Sequence, residues 1–447
     1  MVAPDQDDAA IGRLQALIRI PTISRKPPES ADETQFAAFR ALLASLYPLT
    51  HAHLEVQQVG GGALLLRWPG TGTGAPTVLM AHYDVVPADD EGWTYPAFGA
   101  ELVGERAERR IWGRGAIDDK GMLAAIIEAV EAQLAAGFQP DADVYLSFGH
   151  DEETAGTGAV AVAALLESRG IHPKLVIDEG GAVVTGVFPG VTAPTALIGV
   201  TEKGGAGVEL VVDKKGGHAS TPVKGGATAT LARAILRLDR QPSRARISDP
   251  VLQMIRTLGA HSRQPLRFVF THATAFRPLL TFAFGRISPE TSALVRTTRA
   301  VTRLTGSAAD NVLPERATAM VNVRVNVGSS LQEAVDDIRR TVDDPDVEVR
   351  LVYGSEPAPV SRSEGAVWDL LSDAITDVFP GSIVSPFVMI QASDSRSFAA
   401  ISDGVYRFLP FDLTRAERET LHAIDESIRV STYLNGIRFF RRLIEVL

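Results

Sequence analysis

Three short apolar stretches, each followed at once by polar and acidic residues, most constrain the fold of this chain. They are Val78–Ala81, Val144–Gly149 and Leu175–Ile177, and none alternates regularly between apolar and polar residues. Such runs are typical of strands that are buried on both faces of a sheet. In an open α/β sheet, ligands bind beyond the carboxyl ends of the strands. Acidic residues that recur at three strand ends therefore predict a functional site at that edge.

The residues that follow these strands suit metal binding and acid–base chemistry. His82 and Asp84 follow the first strand, His150-Asp-Glu-Glu153 follows the second, and Asp178-Glu179 follows the third. A histidine can bind a metal through one ring nitrogen while a nearby carboxylate orients the ring. The same pattern therefore offers both candidate metal ligands and candidate proton acceptors.

A further pair of carboxylates, Asp118-Asp119, lies between a glycine-rich stretch and a predicted helix over 122–136. Glycines before a helix can form a phosphate-binding loop. We exclude a nucleotide site here because the glycine run ends in two carboxylates, which would repel phosphate.

The overall composition excludes several partners and several kinds of metal site. The 447 residues carry a net charge of −10, so neither nucleic acid nor a membrane is an expected partner. The chain has no cysteine, so a metal would be held by His, Asp and Glu, which suits zinc, cobalt or manganese. The first eight residues are acidic and include no apolar run, so we expect no secretory signal and a cytoplasmic location.

Secondary-structure patterns predict two domains. Residues 1–200 and 356–447 have α/β character, which predicts a three-layer metal-binding domain with a mixed, largely parallel sheet. Residues 201–355 contain a glycine-rich loop around His218, a helix over 228–238, and strands and a helix between 317 and 353. This order predicts an inserted α+β domain with its own antiparallel sheet.

The segment of about 240–300 has little periodicity. It contains phenylalanines at positions 268, 270, 276, 282 and 284. They could form a pocket for a hydrophobic acyl group or side chain, or they could be the ordinary packing of an enlarged inserted domain. Both interpretations stay open at this point.

Five sequence blocks resemble, in the same order, those of the di-zinc aminoacylase and carboxypeptidase family, which includes acetylornithine deacetylase, succinyl-diaminopimelate desuccinylase and glutamate carboxypeptidase. The blocks are His82-Tyr-Asp84, Asp118-Asp-Lys-Gly121, Asp151-Glu-Glu153, Gly217-His218-Ala-Ser220 and Leu421-His422-Ala-Ile-Asp-Glu426. The resemblance extends from His82 to the C-terminus. The sequences of Gly113–Lys120 and Asp178–Gly180 are most similar to those of the branch of carboxypeptidase S and the N-acyl amino acid hydrolases.

The resemblance implies a dinuclear metal site. Its implied ligands are His82 and Glu179 for one ion, Glu153 and His422 for the other, and Asp118 as the bridge between them. A cis peptide bond would follow Asp118. Either Asp178 or Glu179 could face the metal, and we prefer Glu179 because its place before Gly180 matches the ligand position of the family.

The resemblance also implies roles in catalysis and substrate binding. Glu152 would be the general base, Asp84 would steady His82, and His218 would reach the active site of a partner subunit. The inserted domain would be ferredoxin-like and would act as a lid and dimerisation domain. The residues that resemble substrate binders are Asn311 and Arg324, for the substrate carboxylate, and the loop residues Asp394 and Arg396.

The predicted function is a di-metal hydrolase, most simply with zinc, that acts as a homodimer on N-acyl amino acids or short peptides beside a free carboxylate. A metal-bound water can attack an amide at neutral pH. The planar guanidinium of an arginine can donate two hydrogen bonds to a carboxylate. One alternative is a dedicated biosynthetic deacylase or carbamoyl amidohydrolase on the same site. Another is a non-catalytic dimeric scaffold, which the complete set of implied ligands and Glu152 argues against.

Overall fold

The computed structural model describes residues 4–26 and 29–447, and of residues 4–6 only the backbone. The chain divides into two compact units. The first comprises the residues up to Val200, Ser361–Phe387 and Ser393–Leu447. The second comprises Thr201–Val360 and Val388–Ala392. The first three residues of the acidic stretch from which we predict the absence of a secretory signal lie outside the described residues.

The strands, in chain order, are β1 (Glu55–Val59), β2 (Ala63–Trp68), β3 (Thr77–His82), β4 (Glu101–Val103), β5 (Arg110–Trp112), β6 (Val144–Gly149), β7 (Leu175–Val184), β8 (Thr195–Glu202), β9 (Gly204–Asp213), β10 (Gly217–His218), β11 (Thr298–Thr305), β12 (Val312–Leu313), β13 (Arg316–Val325), β14 (Glu348–Gly354), β15 (Ile383–Met389), β16 (Val405–Asp412) and β17 (Ser427–Arg429).

The α-helices are α1 (Pro4–Ile18), α2 (Glu33–Leu46), α3 (Pro48–His53), α4 (Lys120–Ala135), α5 (Thr157–Ser168), α6 (Ala227–Arg240), α7 (Asp249–Gly259), α8 (Leu266–Thr271), α9 (Arg277–Ile287), α10 (Pro289–Val295), α11 (Leu331–Val342), α12 (Ala366–Val378), α13 (Arg415–Glu419) and α14 (Val430–Val446). Short 3-10 helices span Arg106–Glu108 and Asp394–Ala400. Among the described residues no helix combines the length and the apolar character that crossing a membrane requires.

The first unit is built on a sheet with the strand order β1-β2-β6-β3-β7-β16-β8-β15. β6, β3, β7 and β16 are parallel neighbours, whereas β1 and β2 on one side and β8 on the other pair antiparallel. The three apolar strands of the sequence analysis, β6, β3 and β7, therefore lie side by side. Their carboxyl ends meet at one edge, as predicted.

Helices cover both faces of this sheet. Leu79 and Ala81 of β3 pack on one face in the same core as α4 and α14. Val78 and Met80 point to the other face and pack with Val162 of α5. Every residue of β3 is buried, which explains its continuous apolar sequence. The three-layer α/β prediction is confirmed.

Strand β7 differs from the prediction at its end. We expected this strand to stop at Ile177, but it continues to Val184. The pairing with β16 passes from Asp178 opposite Arg407 to Gly181 opposite Phe408, so Glu179 and Gly180 bulge out of the ladder. Gly180 has φ 144°, a backbone conformation that side chains other than glycine rarely adopt. A bulge redirects the side chains at its position, and sequence periodicity alone does not reveal it.

The second unit contains an antiparallel sheet with the order β11-β13-β9-β14. In chain order its elements are β9, α6, β11, β13, α11 and β14, which is the β-α-β-β-α-β arrangement of ferredoxin-like folds. Alternate residues of β13 are buried, so one sheet face packs against the helices. The ferredoxin-like prediction is confirmed.

The weakly periodic segment of the second unit folds into the short helices α7 to α10. Proline occupies one of the first two positions of α7, α9 and α10, where a missing backbone N–H costs nothing. α8 and α10, with 6 and 7 residues, are too short to produce a clear period in the sequence. Phe270 and Phe284 are buried in this segment, whereas Phe268 and Phe282 are exposed, so core packing accounts for only part of the aromatic content.

Candidate metal centre and active site

His82 ends strand β3 at the carboxyl edge of the sheet and is 1% exposed. Its Nδ1 lies 3.0 Å from the carbonyl oxygen of Asp84 and 3.3 Å from Asp84 Oδ1. The Asp84 carboxylate also accepts hydrogen bonds from the backbone N–H groups of Glu152 (3.1 Å) and Glu153 (3.2 Å). Asp84 therefore connects His82 to the two glutamates, while His82 Nε2 faces Asp118.

Asp118 lies between two histidines. His82 Nε2 is 3.1 Å from Asp118 Oδ1, and His422 Nε2 is 3.1 Å from Asp118 Oδ2. Burial would raise the pKa of Asp118, but the hydrogen bonds with His422 and His82 hold that pKa below its usual range. The peptide bond between Asp118 and Asp119 is cis, in agreement with the sequence analysis.

The remaining predicted ligands complete two groups around Asp118. Glu153 Oε1 lies 3.0 Å from His422 Nε2, and Glu179 Oε1 lies 3.8 Å from His82 Nε2. The candidate ligand atoms within each group lie within 4.8 Å of one another, and the groups are His82, Asp118 and Glu179, and Asp118, Glu153 and His422. The His82 side chain is buried, whereas the side chain of His422 is 53% exposed. The shared site is therefore open to solvent on the His422 side.

The bulge in β7 separates the two neighbouring carboxylates that the sequence leaves as alternatives. Asp178 is buried, and its Oδ2 accepts a hydrogen bond from the backbone N–H of Ser395 at 2.8 Å. Glu179 instead reaches toward His82. The geometry groups Glu179, and not Asp178, with the candidate ligands.

Burial and the crowding of carboxylates dominate the electrostatics of this site. Burial raises the pKa of Glu153, and it raises the pKa values of Glu152 and Glu179 well above the usual range. Hydrogen bonds with Asp118 and Glu153 raise the pKa of His422 to about 10. Crowded carboxylates in a poorly solvated site need a compensating positive charge. Imidazole and carboxylate donors in groups of three, with Asp118 common to both, fit a pair of divalent cations.

Sequence analysis did not single out the ion pair of Arg114 and Glu426. Arg114 Nη1 donates to Glu426 Oε2 at 2.6 Å, and both residues are buried. The Glu426 carboxylate also accepts the backbone N–H groups of Gly115 (3.2 Å), Ile117 (2.8 Å) and Asp118 (3.1 Å). Glu426 follows His422 by four residues, and Arg114 lies in the glycine-rich stretch. This pair thus joins the loop of His422 to the loop of Asp118.

Asp394 is another buried carboxylate beside the site, and burial, followed by the nearby Asp178, raises its pKa well above the usual range. A Cβ atom at Gly149 or Gly156 would come within 2.6 Å of an Asp394 carboxylate oxygen. A side chain at either position would therefore force the Asp394 carboxylate to shift, and the φ of 62° at Gly156 independently favours glycine there. Arg396 follows in the same 3-10 helix and is half-buried.

The second unit brings His218 and Asn311 together. β10 pairs with β12, which places His218 opposite Val312, and the backbone N–H of Ala219 donates to the Asn311 carbonyl at 3.0 Å. His218 Nδ1 accepts the backbone N–H of Ser220 at 3.1 Å. This bond assigns the proton of the neutral ring to Nε2, which makes Nε2–H a donor on an exposed side chain.

Arg324 lies on β13 of the second unit, opposite Gly205 of β9 and Thr298 of β11. Its guanidinium makes no hydrogen bond or ion pair with any of the residues 4–26 and 29–447. Lys203 is fully buried in the same unit, and its Nζ donates to the carbonyl oxygens of Ala293 and Arg296. Burial, with the nearby Arg324, lowers the pKa of Lys203 to about 7.

Comparison with known proteins identifies the class of this chain. Residues 78–446 match the model of peptidase family M20/M25/M40. Probable carboxypeptidase S-like 2 of Dictyostelium discoideum is 33% identical over 441 residues, which cover 97% of this chain and 84% of that protein. The N-fatty-acyl-amino acid synthase/hydrolase PM20D1 of Homo sapiens is 33% identical over 439 residues, with coverages of 97% and 86%. The M20 family metallo-carboxypeptidase Sso-CP2 of Sulfolobus solfataricus has a similar fold, with a TM-score of 0.70 at 18% identity over 98% of both chains.

The chain is a hydrolase that acts on amide or peptide bonds. It belongs to peptidase family M20/M25/M40.

Proposed function

We propose that the protein is a di-metal hydrolase that cleaves the amide bond of N-acyl amino acids or short peptides beside a free carboxylate. The observation that carries this proposal is the position of Asp118, whose two carboxylate oxygens each lie 3.1 Å from a different histidine. The similarity to proteins named carboxypeptidase S-like and N-fatty-acyl-amino acid synthase/hydrolase supports this substrate class.

We propose the following ligands: His82 and Glu179 for one divalent ion, Glu153 and His422 for the other, and Asp118 for both. Zinc suits this donor set best, and cobalt or manganese also accepts nitrogen and oxygen ligands. When bound, the ions would acidify a water molecule and neutralise negative charge on the substrate oxygen.

Glu152 would take the proton from the attacking water and pass it to the leaving nitrogen. Its side chain is not among the grouped ligands, although the next residue, Glu153, is. Burial raises the pKa of Glu152 well above the usual range, which brings it closer to the pH at which a general base works best. Asp84 would hold His82 in the tautomer that presents Nε2 to the metal, because its oxygens lie beside Nδ1.

The residues of the second unit would recognise the substrate. Arg324 has no partner among the described residues and offers a bidentate fork to a carboxylate, and Asn311 would contribute further hydrogen bonds. His218 would donate from Nε2 to the oxygen that becomes negative during the reaction. On the first unit, Arg396 would contact the substrate from the loop that begins at Asp394.

We further propose a homodimer in which His218 acts in the active site of the partner subunit, and a cytoplasmic location. The second-unit sheet ends in β14, and Leu351, Val352 and Tyr353 of that strand are exposed. An edge strand with exposed apolar side chains is suited to pairing across a two-fold axis.

The test is hydrolysis by metal-loaded protein of a panel of N-acyl amino acids and dipeptides, each paired with its C-terminal amide. We expect turnover of free carboxylates, a marked preference over the amides, and loss of activity with a chelator that zinc restores. Undiminished activity after complete removal of metal would disprove the di-metal proposal. Equal turnover of acids and amides would disprove carboxylate recognition.

A further inference from the structure

One stretch of the second unit has a charge opposite to that of the whole chain. Residues 256–289 contain five arginines and no aspartate, glutamate or lysine, whereas the chain as a whole carries −10. The expectation that no membrane would be a partner rests on the whole-chain charge. The relevant quantity for a docking surface is the local charge, because at physiological ionic strength charges act over only about 8 Å.

The same stretch exposes large apolar side chains on helices α8 and α9. They are Leu266 (39% exposed), Phe268 (54%), Leu279 (56%), Phe282 (58%) and Ile287 (63%). The Phe268 ring lies 6.1 Å from the ring of Phe276, which immediately precedes α9, so α8 adjoins the start of α9. We call these five side chains, together with Arg263, Arg267 and Arg286, the basic apolar patch.

Helix α9 is apolar on two opposite faces. Leu280 and Phe284, one turn apart, are buried, so this face of α9 packs in the interior of the second unit. At about 100° per residue, Leu279, Phe282 and Arg286 project from the other side of the helix. A surface helix needs only one apolar face for its own fold. The second face is therefore available for a partner.

The three arginines of the patch can also contact a partner. The guanidinium carbon of Arg286 lies 4.0 Å from the centroid of the exposed Phe282 ring, so charge and apolar surface share one face. Arg263 and Arg267 flank the start of α8 and are exposed. No carboxylate of the described residues pairs with any of these three arginines, whereas Arg277 nearby is 3.3 Å from Asp249.

We propose that the basic apolar patch docks the protein onto an anionic lipid surface. Exposed phenylalanine and leucine beside arginine on short helices are suited to the boundary between headgroups and acyl chains. A second copy of this chain is a poor occupant, since a symmetric contact would bring arginines against arginines and the patch itself contains no carboxylate to pair with them. An anionic lipid surface has negative headgroups that complement the arginines of the patch and an apolar layer that can accept its exposed apolar side chains.

The experiment is co-sedimentation of the full chain with vesicles of phosphatidylcholine alone or mixed with phosphatidylserine. We expect binding to the mixed vesicles, weaker binding to phosphatidylcholine, and loss of binding as salt concentration rises. Replacing Arg263, Arg267 and Arg286 together by glutamine should weaken binding by about 100-fold, since each charge near the surface contributes about fivefold.

The apolar part is tested separately. The double variant Leu279→Ser and Phe282→Ser should bind mixed vesicles about tenfold more weakly or worse, because its side chains no longer enter the lipid. The matched control is Val160→Ser on α5, where a 56% exposed aliphatic side chain lies outside the patch and binding should stay unchanged. All variants should keep the melting temperature of the parent and its hydrolysis of a short, water-soluble substrate.

Three results would overturn the proposal. The parent could fail to sediment with either vesicle, or it could bind both vesicles equally, which would leave the arginines without a role. Alternatively, the parent could be a concentration-dependent oligomer that Leu279→Ser with Phe282→Ser dissociates, which would make a second copy the occupant of the patch.

Discussion

Asp84 is the residue on which the geometry of the candidate site most depends. One buried carboxylate lies beside His82 Nδ1 and accepts the backbone N–H groups of Glu152 and Glu153. Burial alone would raise the pKa of Asp84, but the hydrogen bond with His82 lowers it, so the group stays ionised. A proposed ligand from β3 and the proposed base and ligand after β6 are thereby held by the same side chain.

At the residue scale, Glu152 and Glu153 should separate proton transfer from metal binding. Glu152→Gln should keep both metal ions and the fold but lose about 10²–10⁴-fold in kcat, because only the proton acceptor is removed. Glu153→Gln should release metal instead, since the amide is a poor ligand for the ion shared with His422. The measurements are metal content by elemental analysis and steady-state kinetics. Near-parental turnover by Glu152→Gln would show that another group is the base.

Glu426 should behave as a positioning residue for Asp118. Glu426→Gln removes the negative charge of the carboxylate that accepts hydrogen bonds from Arg114 and three backbone N–H groups. The loop of Asp118 should therefore become less firmly held. We expect metal affinity to fall by about 10–100-fold, measured by competition with a chromophoric chelator.

The control for this variant is Glu128→Gln, which breaks another ion pair of the first unit, with Arg13 at 2.6 Å. Glu128→Gln should lower stability and leave metal affinity unchanged. If both variants weakened metal binding equally, Glu426 would have only a general structural role.

At the scale of elements, helix α13 fixes the segment that leads to His422. Glu417 of this short helix accepts hydrogen bonds from Arg110 of β5 (2.7 Å), Arg429 of β17 (2.8 Å) and the Thr414 backbone N–H (2.8 Å). The Glu417 side chain is 4% exposed. Burial acts against ionisation, but the bonds with Arg429 and Thr414 prevail and lower the pKa of Glu417 to about 2.

The buried, hydrogen-bonded carboxylate of Glu417 should make the free energy of unfolding depend on pH in a specific way. The pKa of Glu417 is lower in the folded than in the unfolded chain. The ionised Glu417 therefore contributes fully to the free energy of unfolding above its pKa in the unfolded chain, and this contribution is lost as the pH falls toward 2. Glu417→Gln should lower the free energy of unfolding by about 2–3 kcal/mol at neutral pH. The gap to the parent should narrow between about pH 5 and pH 3 in denaturant titrations.

The matched control is Glu419→Gln, which removes an exposed ion pair with Arg415 and should change the free energy of unfolding by at most about 0.5 kcal/mol at any pH. A constant difference between Glu417→Gln and its parent from neutral to acid pH would contradict this account.

The elements that sequence analysis predicted well are those with a strong local signal. β3 and β6 are buried on both faces, so their continuous apolar runs identified them and the candidate ligands at their ends. β8, β15 and β16 belong to the same sheet but were not predicted. Pro386 in β15, and Pro410 with the buried Arg407 in β16, interrupt the apolar runs that would identify those two strands. The role of Glu426 was missed for a different reason: its partners are backbone N–H groups about 310 residues away, and no sequence pattern encodes such contacts.

At the scale of the whole molecule, complementation tests the proposed dimer. Glu152→Gln removes the proposed base on the first unit, and His218→Ala removes the proposed donor on the second. If His218 acts in the partner's site, mixed dimers contain one site with both defects and one with neither. Subunit exchange between the two inactive variants should then restore up to half of the parental activity per dimer.

Exchange itself can be followed with two subunits that carry different fluorescent labels. Proven exchange without recovery of activity would exclude a role for His218 in the neighbouring site. The control mixture combines Glu152→Gln with Glu153→Gln, two defects of the same unit. Its mixed dimers still carry one defective base or ligand in each site, so no activity should return.

The place of β16 in the first-unit sheet has a consequence for how the protein is made. β16 lies between β7 and β8, although more than 200 residues separate it from either strand along the chain. When the ribosome has synthesised only the residues up to Val360, β7 and β8 can pair with each other through Val183 and Val184, but the rest of each strand lacks its neighbour β16. We therefore expect the incomplete chain to expose unpaired strand edges, which favour aggregation until β16 is added. His422 follows β16, so the proposed metal site is complete only after β16 has been synthesised.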